Sequence, residues 1–195
     1  LDPARPIVLY VCSALFAGSP VEAAFVDRWL RHLRGVADER LRDVQVLVRP
    51  HPSRTAEWEH VDLASLGAVV WGANPVDERA RADYYDSLYH CAAVVGINTS
   101  AFIEAGIVGR PVHAIVVPEF ASNQEGTVHF QYLVEVAGGL VVLDHGLDEH
   151  ARQLSASLAA PPEGPKAFVQ AFLRPHGLAV AATPLFVEQV EALGR

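Results

Sequence analysis

Methionine is absent from all 195 residues, and cysteine occurs only twice. The two cysteines, Cys12 and Cys91, follow apolar or aromatic stretches and are expected as buried, reduced thiols rather than as a disulfide scaffold. No Cys-x-x-Cys pair is present to hold a metal or run redox chemistry. No apolar run approaches the roughly 18 residues that a membrane-spanning helix needs, and no basic segment followed by an apolar stretch and a cleavage site marks a secretory signal. Leu1 cannot be a natural initiator, and a strand-like run begins a few residues later. An excised domain is therefore expected, with any upstream targeting signal out of sight. Positive charge is also scarce: 15 Lys and Arg stand against 23 Asp and Glu, for a net charge of −8. That balance argues against a general nucleic-acid surface. It leaves nucleotide binding open, because local donors rather than net charge hold a phosphate. Gly-x-Gly-x-x-Gly, Gly-x-Ser-x-Gly and Walker motifs are missing, which removes the usual dinucleotide, hydrolase-elbow and P-loop readings. No internal repeat or low-complexity segment is visible.

What remains is a globular composition, 51% hydrophobic and 19% charged, long enough for one domain with a core. Short apolar runs alternate with helical periodicity. Strands are predicted at 7–12 (IVLYVC), 44–48 (VQVLV), 68–71 (AVVW), 92–97 (AAVVGI), 112–117 and 140–143. After the first strand, Ser19-Pro20-Val21-Glu22 fits a capping box, and Phe25, Trp29 and Leu33, flanked by Val26 and Leu30, form one apolar helix face. Asn74 is read as the cap of a helix running towards Leu88. Further helices are predicted at 99–108, stopped by Gly109 and Pro111, at 130–136 and at 147–158. Closing helices follow a Pro-Gly break at 161–165, at 166–173 and 184–193. Continuous apolar strands alternating with helices predict an α/β fold: a doubly wound parallel sheet of about six strands, helices on both faces, Rossmann-like, in a single domain over 1–195.

In such sheets ligands bind at the carboxyl ends of the strands, so the strand-to-helix loops carry the candidates. The loop 13–19 either touches a ligand phosphate or sugar or is an ordinary connector. In Arg49-Pro50-His51-Pro52 two prolines stiffen the backbone around one imidazole; His51 can donate to a phosphate and Arg49 can add charge. In Asn98-Thr99-Ser100 small hydroxyl residues open a helix and leave its amides for an anion. Glu104 lies one turn on, on the same face as Ser100, where a carboxylate can accept from ribose hydroxyls. The long polar segment 118–130 offers Asn123, Gln124, Thr127 and His129 to a sugar or phosphate, or is a surface loop. Asp144, His145, Asp148 and His150 lack the spacing of a helical zinc site and read as a solvated helix start; no metal is expected. His32, His60, His90, His113 and His176 show no partner pattern. Trp29, Trp58 and Trp71 read as core or loop anchors.

The Arg49-Pro50-His51-Pro52 loop resembles the Arg-x-His-Pro loop of CDP-glycerol glycerophosphotransferase-like and capsular-polysaccharide glycosyltransferases. The stretch Asn98-Thr99-Ser100-Ala101-Phe102-Ile103-Glu104-Ala105, ending in Gly109-Arg110-Pro111-Val112, is similar to their donor-site helix, and the ending from Phe172 to Leu193 to their closing helices. UDP-N-acetylglucosamine 2-epimerases share the outline. The resemblance implies the C-terminal, donor-binding half of a GT-B fold, with closing helices at about 166–194 and an N-terminal acceptor domain absent from this chain. It implies His51 and Ser100 or Thr99 at the donor diphosphate and Glu104 at the ribose. No cofactor or metal is implied, and the catalytic base is expected from the missing half. The implied partners are a nucleotide-activated sugar or CDP-glycerol-like donor and the chain's own N-terminal domain, without nucleic acid. The implied setting is cytoplasmic, with peripheral association of the full protein at the inner membrane face. An epimerase-like enzyme and a non-catalytic nucleotide-binding or scaffolding domain remain as alternatives. A response-regulator-like domain is disfavoured, because no acidic cluster follows the first strand.

Overall fold

The architecture is taken from a computed structural model, described here for residues 1–2, 4–160 and 165–194. Six strands form one sheet: β1 (Ile7–Val11), β2 (Gln45–Arg49), β3 (Ala68–Val70), β4 (Ala93–Gly96), β5 (Val112–Val116) and β6 (Val142–His145). All pairings are parallel and the order is β3-β2-β1-β4-β5-β6. The helices are α1 (Glu22–Gly35), α2 (Glu39–Asp43), α3 (Glu78–His90), α4 (Ala101–Ile107), α5 (Val128–Glu135), α6 (Leu147–Ala159), α7 (Lys166–Phe168) and α8 (Ala182–Leu193). The protein is thus the doubly wound α/β sheet that the apolar pattern predicts.

Side chains alternate across each strand, so β1 feeds two cores. Val8 and Tyr10 join Val46, Val48 and Val95 under α1 and α6, where Phe25, Val26, Trp29, Leu30, Leu33 and Leu154 are buried. Leu9 and Val11 join Val94, Val112 and Ala114 on the other face, under Leu88 of α3, Phe102 and Ala105 of α4, and Phe130 and Leu133 of α5. Burial of both faces explains why the strands read as unbroken apolar runs.

Several boundaries differ from expectation for local reasons. Ser19 does not cap α1. The helix starts at Glu22 behind Val21, which makes no side-chain cap, and the Glu22 side chain turns inward instead of back to a cap. Asn74 does not cap α3; Asp77 does, accepting from Ala80 N–H at 2.8 Å. The sixth strand lies two residues later than the apolar run 140–143. Leu140 is spent as a core residue, its N–H bonded to Leu133 O, and the ladder continues into Asp144 and His145. The polar segment after β5 is not a plain loop: a 3₁₀ turn occupies Pro118–Asn123 and α5 begins at Val128. The short α2 and the 3₁₀ segment Pro52–Trp58 carry no signal in the sequence strong enough to predict them. Of the expected break at 161–165, residues 161–164 lie outside the described residues.

Candidate functional site

The chain winds outward from β1 through β2 to β3, then returns to place β4 on the other side of β1. That reversal leaves a crevice at the carboxyl ends of β1 and β4, the place where open α/β sheets take ligands. Gly96 closes β4 there; a Cβ on it would sit 2.7 Å from Val11 O, so only glycine lets the two strands approach this closely.

Two adjoining cavities, of about 240 and about 200 Å³, open at this edge and share His51, Thr99 and Ser100. Arg49, Tyr84 and Glu104 also line the first, and Asn98, Thr127 and His129 the second. Residues from the β2 loop and from the β4 loop, nearly fifty positions apart in sequence, therefore meet at this edge. The half-buried His51 ring is oriented by Ser53, whose Oγ lies 2.8 Å from Nδ1. Burial, and then the charge of Arg54, lower its pKa, so the imidazole is neutral at pH 7.

The first turn of α4 differs from expectation in detail. The amides of Ala101, Phe102 and Ile103 already donate, to Thr99 Oγ1, Thr99 O and Ser100 O respectively. The polar groups offered to a ligand are thus the side chains of Thr99, Ser100 and Glu104 more than open helix amides. Glu104 accepts from the Tyr84 hydroxyl on α3, which fixes one carboxylate oxygen. Burial, and then Glu104, push the Tyr84 phenol far above its ordinary range. Tyr84 is a wall residue that the sequence reading missed; an aromatic on an amphipathic helix carries no local sign of facing a cleft.

Arg49 is 4% exposed and not a free charge. Its Nη1 pairs with Asp83 at 2.9 Å and its guanidinium lies over the Tyr84 ring, 5.3 Å from the centroid, while Nη2 has no partner among the described residues. Gly72, at φ +128°, makes room for it: a Cβ would fall 2.6 Å from Arg49 Cζ. Arg49 thus braces α3 against the end of β2 as well as lining the cavity.

Asn98 is the hub of the second cavity. Its N–H donates to Ser13 Oγ at 3.2 Å, its Nδ2 to Asn123 O and Thr127 Oγ1, and its Oδ1 lies 3.0 Å from His129 Nε2. Asn123 Oδ1 accepts from Phe16 N–H at 2.6 Å, so the β5 loop is tied to the β1 loop. Thr127 is buried and donates to Gln124 O, whereas His129 is exposed. Gln124, expected to reach a ligand, does not. It is fully enclosed, and its Nε2 donates to Ile97 O and Ile115 O at 2.9 Å each, satisfying carbonyls beyond β4 and in β5.

In fold the chain resembles the wall teichoic acid polymerase TagF. A variant of TagF superposes with a TM-score of 0.56 at 12% identity, over 86% of this chain and 39% of that one. A second TagF structure gives 0.54 at 13% identity, over 85% and 39%. TarM gives 0.50 at 13% identity, over 95% and 34%. This chain thus spans well under half the length of these proteins, and at such identity the likeness is one of fold. Neither the family models nor the curated proteins compared with the sequence match it.

Away from the crevice of this TagF-like sheet lies a second polar cluster. His113 of β5, Asp144 of β6 and His150 of α6 are all fully buried. Both Nδ1 atoms lie on Asp144 Oδ2, at 3.0 and 2.6 Å, and His113 Nε2 is 3.0 Å from Ser157 Oγ. The expectation of a solvated helix start at Asp144 and His150 is thereby corrected, as is that of a partnerless His113. Parallel pairing in β5–β6 brings residues 31 positions apart side by side. The three offer ligand atoms within 4.8 Å of one another, donor types suited to a divalent cation. Both imidazoles hydrogen-bond the same carboxylate oxygen, while the other one, Asp144 Oδ1, and His150 Nε2 are buried without a hydrogen-bond partner among the described residues. Among the described residues no helix is long and apolar enough to cross a membrane.

Proposed function

We propose that the crevice binds the diphosphate of a nucleotide-activated donor, and that this chain is the donor-binding half of a GT-B transferase acting in cell-surface polymer synthesis. The observation that carries the reading is the meeting of His51, Thr99, Ser100 and Glu104 around two joined cavities at the strand-order reversal. In this reading His51 Nε2 and the hydroxyls of Thr99 and Ser100 donate to phosphate oxygens, and His129 is the contact at the far rim. Glu104, held by Tyr84, accepts from the ribose. Donors aimed at the leaving diphosphate stabilise the negative charge that develops as the transferred group departs, without a metal. In this reading the acceptor site and the base that activates the acceptor come from the other half of the GT-B fold. The fold likeness to a wall teichoic acid polymerase supports a sugar or polyol-phosphate donor.

Thermal denaturation against CDP, UDP, GDP, ADP and their sugar or glycerol conjugates tests this. A ligand at 100 times its Kd stabilises by about 2.7 kcal/mol. One base is expected to stand out, with His51→Ala and Glu104→Ala each weakening it by about 10-fold or more, the loss of a hydrogen bond to a charged group. Binding that ignores both substitutions, or no binding by any of the panel, overturns the reading.

A further inference from the structure

Glu22, the first residue of α1, has no part in the donor contacts above. It is 1% exposed, yet both carboxylate oxygens are engaged: Tyr10 Oη donates to Oε1 at 3.1 Å and Ser13 N–H to Oε2 at 2.8 Å. Ser13 is itself fully buried, and its hydroxyl accepts from the N–H of Asn98 at 3.2 Å. Asn98 in turn contacts His129 and lines the second cavity. An unbroken hydrogen-bonded path thus leads from a buried carboxylate at the start of α1 to the rim of the crevice.

The groups facing Glu22 are few. Tyr10 comes from β1 and the Cys12 thiol from the residue just after it, and Cys12 also lines the first cavity. Glu57, in the 3₁₀ segment after β2, accepts from Glu22 N–H at 3.0 Å and is itself paired with Arg54. Among the described residues no cation touches the Glu22 carboxylate. Burial pushes its pKa up to about 7, against the opposing hydrogen bonds of Ser13 and Tyr10. The surroundings suit both protonation states, because a tyrosine hydroxyl donates and accepts. With Glu22 ionised, Tyr10 donates to it. With Glu22 protonated, its O–H donates to Tyr10 Oη while Ser13 N–H keeps the other oxygen.

We propose that Glu22 is a positioning residue, setting Asn98 through Ser13, and that an anion entering the crevice drives the uptake of a proton at Glu22. An added negative charge in the crevice disfavours the ionised form of a desolvated carboxylate in this low-dielectric setting. The coupling rests on the donor-site reading; the positioning does not.

The two parts are tested by amide and carboxyl NMR of the full chain, titrated through neutrality. The Ser13 and Asn98 amides are expected to move with one midpoint, that of the Glu22 carboxyl. Both go flat in Glu22→Gln, and in Ser13→Ala the carboxyl still titrates while Asn98 goes flat. A shift of Asn98 that survives both substitutions belongs to other groups and overturns the positioning; if Glu22→Gln does not fold, Ser13→Ala decides alone. Inorganic pyrophosphate is then added, with calorimetry in two buffers of different ionisation enthalpy. The midpoint should rise, with uptake of up to about half a proton per site near pH 7. Pyrophosphate bound with an unmoved midpoint overturns the coupling. No pyrophosphate bound sinks the donor-site reading and the coupling with it, while the amide titration still decides the positioning.

Discussion

At the scale of single residues, burial works against charge most strongly at Glu22. A carboxyl that titrates at 4.5 when free is raised to about 7 once enclosed. Between those values the native protein holds a proton that the unfolded chain has released, so stability falls as pH rises through the window and stays lowered above it. The full effect is about 3 kcal/mol. Glu22→Gln should remove this slope and raise stability on the alkaline side, read as urea midpoints on either side of pH 7; an unchanged slope would assign it to other groups. The sequence marks His51, Thr99, Ser100 and Glu104 as site candidates because each follows a strand by a few residues. It does not mark Glu22 or Tyr84, whose partners lie 9 and 20 positions away, and it offers Ser13 only as the start of a candidate loop, its partner Asn98 being 85 positions away. Gln124 shows the opposite failure: its loop position is right for a ligand, but two carbonyls claim its amide first.

At the scale of elements, β5, β6 and α6 are joined by the His113–Asp144–His150 cluster. Burial alone would raise the Asp144 pKa, but the hydrogen bonds from His113 and His150 outweigh it and hold the pKa low. Burial lowers that of His150. Both signs run the same way. The stability His150 contributes is present above its unfolded value of about 6.5 and lost as pH falls below it. That from Asp144 is lost at still lower pH, as its carboxylate is protonated. This slope opposes that of Glu22, so the single variants separate what the native protein combines. Asp144→Ala strands two buried imidazoles and is expected to cost about 3–5 kcal/mol in chemical denaturation; a loss of under about 1 kcal/mol would mean that the cluster repacks or hydrates at little cost. The sequence placed β6 two residues early and left His113 unpartnered, because an apolar run shows where a strand is plausible but not which polar residues its register sets side by side.

At the scale of the whole molecule, two cores flank one sheet, and α8 belongs to neither. No residue of α8 is buried; Phe186 is 69% exposed and Leu193 89%. Ending the chain at Arg174 should therefore leave the unfolding free energy within about 0.5 kcal/mol of the original, as for surface changes generally. A larger loss in thermal or urea unfolding would show that α8 supports the sheet in solution.

Hydrophobic periodicity is a local property, and it determined the element types, their sequence order and a sheet covered on both faces. The loops that reach the carboxyl edge follow from that order, which is why residues 49–51 and 98–104 were legible. Strand order was decided only in the folded structure, and with it the crevice between β1 and β4. So were the roles of the polar residues. Whether a side chain meets a ligand or a distant backbone group depends on which partner tertiary packing brings within about 3 Å first. For Phe16 and Asn123 that partner was 107 residues away, a separation that no local pattern encodes.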